Sequence, residues 1–269
     1  MIYLVGGAGY IGSGLQAYLS AASLKYVVVD PTVEPGPHVR QELGSAISAV
    51  VRDEDVVVWM AGPRNAQAPA AVQCAAALVE SDWRHFLGGL WSSPRIILFS
   101  SMSVHDWPEN PYSVHKIRME TLPNLDDRRV NIVRPGTVVG LSGPEKTLRA
   151  DLGVHAVLRR LLNGESAWIN ATCVRAYVAL PRLLGRVRDL IVQKGPLPAV
   201  DEVYSTITSM AAVLAPALER WSPKLSLRED AGAPSVAVLR SGTVCPFGLK
   251  ELHTEVGRII DRGRYTTYI

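Results

Sequence analysis

The 269-residue sequence predicts an α/β fold, a doubly wound parallel sheet with a small C-terminal lobe interleaved with it. Three observations carry that expectation. The first 30 residues read strand, glycine turn, helix, strand, which is a βαβ unit. Near-continuous apolar runs then alternate with helical patterns, as strands covered on both faces do. A hydrophobic share of 48% against 20% charged residues suits a chain that buries a sizeable core.

Taken in order, residues 2–5 read as a buried strand and 6–12 (GGAGYIG) as a turn entering a helix through Leu15, Tyr18 and Leu19. Residues 26–29 are a β-branched run that ends at Asp30. Residues 31–44 are rich in turn formers, and 45–52 suit a short helix. Strands are expected at 55–60 and 95–100, with one or two helices over 66–90 between them. A helix over 112–122 and a strand over 130–134 follow. Beyond Gly140 the pattern loosens. A helix over 148–162 closes at Asn163-Gly164, and short strands are expected at 167–170 and 175–179. Helices are expected at 183–192 and 205–220, and a late strand at 236–239. The expected division is 1–145 for the core and 146–269 for the lobe, with about 171–195 returning to the core.

Composition excludes several function classes. Twenty-eight basic against 25 acidic residues leave +3, too small a bias to predict nucleic acid or a membrane surface as partner. Cys74, Cys173 and Cys245 lie far apart without a CxxC pair, so neither a disulfide framework nor a metal site is expected. The first residues carry no basic segment of a secretory leader. Residues 203–218, the least charged long stretch, are interrupted by Pro216 and fall short of a membrane span. A soluble cytoplasmic protein is the expectation.

The candidate chemistry begins at the turn. Gly6, Gly9 and Gly12 form GxxGxxG between a strand and a helix, where small residues let the backbone touch a pyrophosphate. The helix N-terminus, at Tyr10 and Ile11, adds N–H groups and partial positive charge. Glycine-rich turns also occur for structural reasons alone; the strand–turn–helix setting and the acid closing the second strand favour a dinucleotide. Asp30 stands where a carboxylate accepts hydrogen bonds from the adenosine ribose and repels a 2′-phosphate, which favours NAD(H). His38 and Arg40 downstream leave NADP(H) open.

Tyr112 and Lys116 are four apart on a helix and share a face. A free phenol, with a pKa near ~10, is a poor base at neutral pH, and a neighbouring ammonium favours the phenolate. Ser101, at a strand end, is placed to hydrogen-bond the same substrate oxygen. Alone, the Tyr–Lys pair would read as an ordinary exposed helix pair; behind a cofactor turn it reads as acid–base machinery.

These segments together resemble the extended, nucleotide-sugar-modifying branch of the short-chain dehydrogenase/reductase family. The resemblance rests on the GxxGxxG with Asp30, FSSMSV at 99–104, YSVHK at 112–116, RPGTVVG at 134–140 and DVVVWMAG at 55–62, all in family order. It covers about the first 180 residues and implies a Rossmann-type core. It implies Tyr112 as general acid/base, Lys116 also on the nicotinamide ribose, and Ser101 as third catalytic residue, with Ser100 and Ser103 as rivals. Pro135, Thr137 and Val138 would line the nicotinamide end, and Ala61 and Gly62 the middle of the cofactor. Met102 and Ser103 would face substrate, and Asn170 with Arg175 its diphosphate; Arg175 reads equally well as a surface or salt-bridged arginine. A homodimer through the Tyr–Lys helix, with Ile117, Met119 and Leu122 contributing, is also implied.

The sequence departs from the branch in places. Met102 and Ser103 stand where 4,6-dehydratases place an Asp–Glu pair, so water elimination lacks an acid and a base. The stretches 30–55 and 104–112 are short, His105 replaces an aromatic, and the helix before the serine strand has no clear Asn, with Gln73 and Glu80 nearby. His85, His155 and His253 read as structural. The leading expectation is an NAD(P)H-dependent reductase of a nucleotide-linked keto sugar, a 4-keto-6-deoxyhexose by preference. A nucleotide-sugar 4-epimerase and a non-catalytic dinucleotide sensor are the alternatives.

Overall fold

The computed structural model describes residues 1–30, 39–62, 69–122, 129–142, 153–170, 173–221, 223–228 and 246–262, with backbone alone at 39–43, 69–75, 246 and 247. Along the chain the first elements are β1 Ile2–Val5, α1 Tyr10–Ala21, β2 Tyr26–Val29, α2 Val39–Val50 and β3 Val56–Trp59. Next come α3 Pro69–Gly88, β4 Arg95–Phe99, α4 Ser103–Asp106, α5 Pro111–Thr121, β5 Val130–Pro135 and β6 Thr137–Val139. The chain continues with α6 Gly153–Leu162, β7 Ala167–Asn170, β8 Val174–Ala179, α7 Leu180–Val192, β9 Val200–Val203 and β10 Thr206–Ser209. Last are α8 Met210–Val213, α9 Ala215–Trp221, β11 Leu225–Arg228 and α10 Pro246–Arg262.

Two compact units result, one of residues 1–134 and 184–202, the other of 135–183 and 203–269. The break falls at Arg134/Pro135, where sequence suggested about 145, and the returning segment is 184–202 where 171–195 was expected.

The first unit is the α/β fold expected. Its six-stranded sheet has the order β2-β1-β3-β4-β5-β9, and the first five strands pair in parallel. Sequence reasoning missed β9, whose polar VDEV lacks an apolar run; it lies at the sheet edge, where one side needs no covering. The order doubles back between β1 and β3, and ligands of open parallel sheets bind outside the carboxyl ends at such a switch point. Among the described residues no strand lies between β2 and β3 in sequence, which matches the short 30–55 stretch. Every residue of β3 is buried, and Trp59 at its end meets Trp83 and Phe86 of α3 at ring-centroid distances of 4.8 and 5.4 Å. This aromatic wedge packs α3 on the sheet. Met119, expected on a dimer face, is instead in this core, with its carbonyl accepting from the Trp83 indole.

The second unit has a three-stranded sheet, β10-β8-β6, and a parallel pair, β11 with β7. The helix expected over 205–220 is broken. Thr206-Ile207-Thr208-Ser209 forms β10, antiparallel to β8, because β-branched residues with a strand edge to pair with outweigh a helical spacing of apolar positions. Ser209 then caps α8 by accepting the Ala212 N–H at 3.2 Å. The Asn163-Gly164 stop is present: Gly164 has φ +80° and its N–H donates to the Leu161 carbonyl. The expected strand at 236–239 lies outside the described residues. Among the described residues no helix is long and apolar enough to cross a membrane.

Candidate active site

The glycine turn sits at the carboxyl end of β1. Gly6 has φ +77°, and a Cβ there would stand 2.6 Å from the Ala61 nitrogen at the end of β3. Gly12 is equally constrained, since its Cβ would meet the Gly7 carbonyl oxygen at 2.3 Å. Gly9 differs: its backbone is extended and a Cβ would approach only the Gly6 oxygen, at 3.3 Å. Internal packing therefore explains Gly6 and Gly12 far better than Gly9, whose bareness suits close approach of something from outside. Gly9 caps α1 without a side chain, and no acid occupies the first turn. Tyr10, Ile11 and Gly12 are the first three helical residues, whose N–H groups precede the first intrahelical bond, from Ser13 to the Gly9 carbonyl. The helix end thus carries partial positive charge, as an anion site requires.

Asp30 belongs to the same turn: its carboxylate accepts the Ala8 N–H at 2.9 Å. At the end of β3, the Met60 and Ala61 N–H groups both donate to the Val5 carbonyl. Gly62, one residue on, faces α5, where a Cβ on it would lie 2.9 Å from Lys116 Nζ. Ala61, Gly62 and Lys116 are thus brought together with the glycine turn.

Just past β4, the Ser100 N–H still pairs with the Val133 carbonyl and its hydroxyl is buried with no hydrogen-bond partner. Ser101 is half-buried, and its Oγ accepts the Ser103 N–H at 3.1 Å. Because that oxygen is already an acceptor toward the backbone, its own proton is left to donate. Met102 is the N-cap of α4, and Ser103 has a buried hydroxyl without a partner while its carbonyl accepts from Ser113 Oγ at 3.0 Å. Neither position carries a carboxylate.

Helix α5 begins as its sequence dictates. Asn110 accepts the Tyr112 N–H at 2.9 Å and Pro111 fills the first helical position. Tyr112 and Lys116 follow one turn apart, with Nζ 5.8 Å from the phenol ring centroid. Lys116 is buried and donates to the Phe99 carbonyl at 2.9 Å, next to Ser100 and Ser101. A chain of close approaches therefore links Gly6, Ala61, Gly62, Lys116, Phe99 and the serines. Behind it, Arg134 grips the buried Glu120 through Nε and Nη2 at 3.0 and 2.5 Å, tying β5 to α5.

The remaining candidates are in the second unit. Pro135 precedes β6, which holds Thr137 and Val138 and runs parallel to β8. Asn170 accepts the Cys173 N–H at 3.2 Å, and Arg175 Nε donates to Cys173 Sγ at 3.2 Å. Beside them the Tyr177 hydroxyl is wholly buried without a partner, and burial raises its pKa. Cys245, His38 and the side chains of Cys74 and Arg40 lie outside the described residues. Cys173 is a buried free thiol, and the described residues form no metal-binding cluster.

Sequence reasoning passed over His115. It is fully buried between Tyr112 and Lys116 in sequence, with Nδ1 3.2 Å from Glu80 of α3. Burial, with the Lys116 and Arg118 charges, pushes its pKa down to about 3, so the imidazole is neutral and Nδ1–H donates to the carboxylate. The signal in the sequence is a large titratable residue beside Lys116. Of the histidines read as structural, His155 accepts the Gly140 N–H and His253 meets the Ala212 carbonyl.

No protein-family profile matches the chain, and no curated protein matches it in sequence. Solved structures do. TunA, an NAD-dependent NDP-hexosamine 5,6-dehydratase involved in tunicamycin biosynthesis, superposes at a TM-score of 0.71 with 18% identity over 99% of this chain and 98% of that one. The UDP-glucose 4-epimerase of Thermotoga maritima gives 0.68 with 16% identity over 98% and 99%, and RMD from Pseudomonas aeruginosa, complexed with NADPH, 0.67 with 17% over 97% and 99%. The chain has their fold. The similarity spans nearly the whole length in each case, the second unit included, and agrees with the Rossmann-type resemblance read from the motifs.

Proposed function

We propose that the protein is an NAD(P)H-dependent reductase of a nucleotide-linked keto sugar, by preference a 4-keto-6-deoxyhexose. The observation that carries the reading is Lys116, buried, hung on the Phe99 carbonyl and one helical turn from Tyr112, beside a glycine turn without a side-chain cap. The residues fit a dinucleotide. Gly9 leaves room at the α1 N-terminus for a pyrophosphate, and Asp30 offers a carboxylate to the adenosine ribose, which favours NAD(H) over NADP(H). Ala61, Gly62, Ser100, Pro135, Thr137 and Val138 are assigned to the rest of the cofactor, and Met102, Ser103, Asn170 and Arg175 to substrate.

When bound, the reduced nicotinamide supplies a hydride to the carbonyl carbon. The protein supplies the rest. Tyr112 donates its phenolic proton to the carbonyl oxygen, so that C=O, hydride and proton become CH–OH, and the phenolate recovers a proton from solvent. The Lys116 ammonium stabilises that phenolate. The Ser101 proton, free to donate, hydrogen-bonds the same oxygen as charge develops on it.

Met102 and Ser103 support reduction over dehydration, since neither exchanges a proton with a sugar carbon. The test is purified protein with NADH or NADPH and dTDP- or GDP-4-keto-6-deoxyhexose, followed at the nicotinamide absorbance. Cofactor consumption is expected; none with any such sugar refutes the reading. The fold shared with a 4-epimerase supports a second reading, in which the same residues act with a retained cofactor. Stoichiometric NAD released on denaturing the purified protein would favour it.

A further inference from the structure

His115 has no part in the chemistry above, yet it is the most enclosed titratable side chain beside it. Its Nδ1–H is committed to Glu80 at 3.2 Å. A neutral imidazole with a proton on Nδ1 has a bare lone pair on Nε2. That Nε2 is buried and has no hydrogen-bond partner. Such an orphaned acceptor costs stability unless something pairs with it.

Its surroundings point to what that something is. The point where a Cβ of Gly62 would stand lies 3.9 Å from His115 Nε2 and 2.9 Å from Lys116 Nζ. Two groups of opposite hydrogen-bond character thus border the same space beside residue 62. An ammonium only donates, and this imidazole nitrogen only accepts. A hydroxyl group satisfies both at once, with its oxygen accepting from Lys116 and its proton donated to His115. A carbonyl or phosphate oxygen has no proton for His115, and an amide N–H has no acceptor for Lys116.

We propose that His115 and Lys116 form a two-point grip on a single hydroxyl at Gly62, either a ribose hydroxyl of the dinucleotide or a water. Glu80 is the positioning residue that fixes the tautomer; Lys116 and Arg118 are the cationic groups near the ring, and Glu80 is the anionic one. This rests on the reading of Lys116 as a cofactor-binding residue. Glycine at 62 then leaves the ligand room beside the lysine.

The test reads the ring directly. Uniformly ¹⁵N-labelled protein is examined by long-range ¹H–¹⁵N correlation of its histidine side chains at pH 7, with and without NADH. His115→Gln identifies the resonance among the six histidines. The expected result is a neutral ring protonated at Nδ1, whose Nε2 carries the shift of a hydrogen-bond acceptor. If the acceptor shift arises only with NADH, the hydroxyl is the ribose's; if it is present in both samples and unmoved, it is water's. A ring protonated at Nε2, a charged ring, or a bare Nε2 in both samples overturns the proposal. In the ribose case His115→Phe weakens NADH binding about tenfold, the loss of one buried hydrogen bond, and His115→Gln recovers most of it. Lys116→Met separates the two failures. If it leaves NADH affinity unchanged, the functional reading fails and this proposal with it; if it weakens binding while Nε2 stays bare, only the role of His115 fails.

Discussion

Lys116 Nζ donates to the Phe99 carbonyl at 2.9 Å, which fastens the middle of α5 to the end of β4. One bond therefore places an ammonium, a phenol one turn earlier and the serine segment two residues on. The chemistry of each changes differently on substitution. Tyr112→Phe removes only the proton donor, so turnover should fall by about 10²–10⁴-fold with NADH affinity and thermal stability near wild type. Lys116→Met removes the charge and leaves the Phe99 carbonyl unpaired, so it should lose turnover and NADH affinity together, and about 1–3 kcal/mol of stability. Steady-state kinetics, NADH titration and thermal melts of both variants check this. Full turnover by Tyr112→Phe would remove the mechanism.

The glycines of the turn should separate in the same way. Gly12→Ala drives a methyl to within 2.3 Å of the Gly7 carbonyl, and Gly6→Ala strains φ as well as meeting Ala61. Each should cost more than about 1 kcal/mol of stability and disorder the turn. Gly9→Ala meets only the Gly6 oxygen at 3.3 Å, so its melting temperature should stay close to wild type. Its NADH affinity should nonetheless fall, because the methyl fills the approach to the α1 N-terminus. A Gly9→Ala protein that binds NADH normally would mean that the bare position serves packing alone.

Asp30 both receives the Ala8 N–H and presents negative charge at the turn. Asp30→Ala should therefore weaken NADH, strengthen NADPH relative to it, and cost about 1–2 kcal/mol through the lost bond. Asp30→Asn keeps an acceptor for Ala8, so its stability should recover while the shift toward NADPH remains. Competitive titration of both cofactors gives the ratio. An unchanged ratio in both variants would show that Asp30 serves the turn and not the choice of cofactor.

What the sequence made legible was local. The βαβ start, the buried strands and the i, i+4 pair on α5 each write their pattern within a dozen residues, and local spacing is what periodicity reads. What it concealed depended on partners far along the chain. Residues 206–209 carry both a helical spacing and β-branched side chains, and only β8, about 30 residues earlier, decides between them. His115 reads as one more helical residue until Glu80, 35 positions back, fixes its tautomer. Met119 looked available for a partner because Trp83 and the sheet above it are not adjacent in sequence. The Arg175 contact is local but not periodic: its Nε donates to Cys173 Sγ, two residues before it, which a motif match does not register.

The buried neutral His115 should be visible in the pH dependence of stability. Folded, the ring takes up a proton only near pH 3, because burial and the Lys116 and Arg118 charges oppose it; its ordinary value is 6.5. Between these values the unfolded chain binds one more proton than the folded one, so stability rises with pH through this window and is lost as pH falls. The slope reaches about 1.4 kcal/mol per pH unit once the unfolded ring is fully protonated. Glu255, raised by burial, titrates in both proteins alike and cancels in a comparison. Urea midpoints of wild type and His115→Gln between pH 7.5 and 4.5 should therefore diverge, with wild type losing close to one proton's worth of slope more than the variant. Parallel curves would mean that the ring takes up a proton as readily in the folded protein as in the unfolded chain, so that neither burial nor the neighbouring charges hold it neutral.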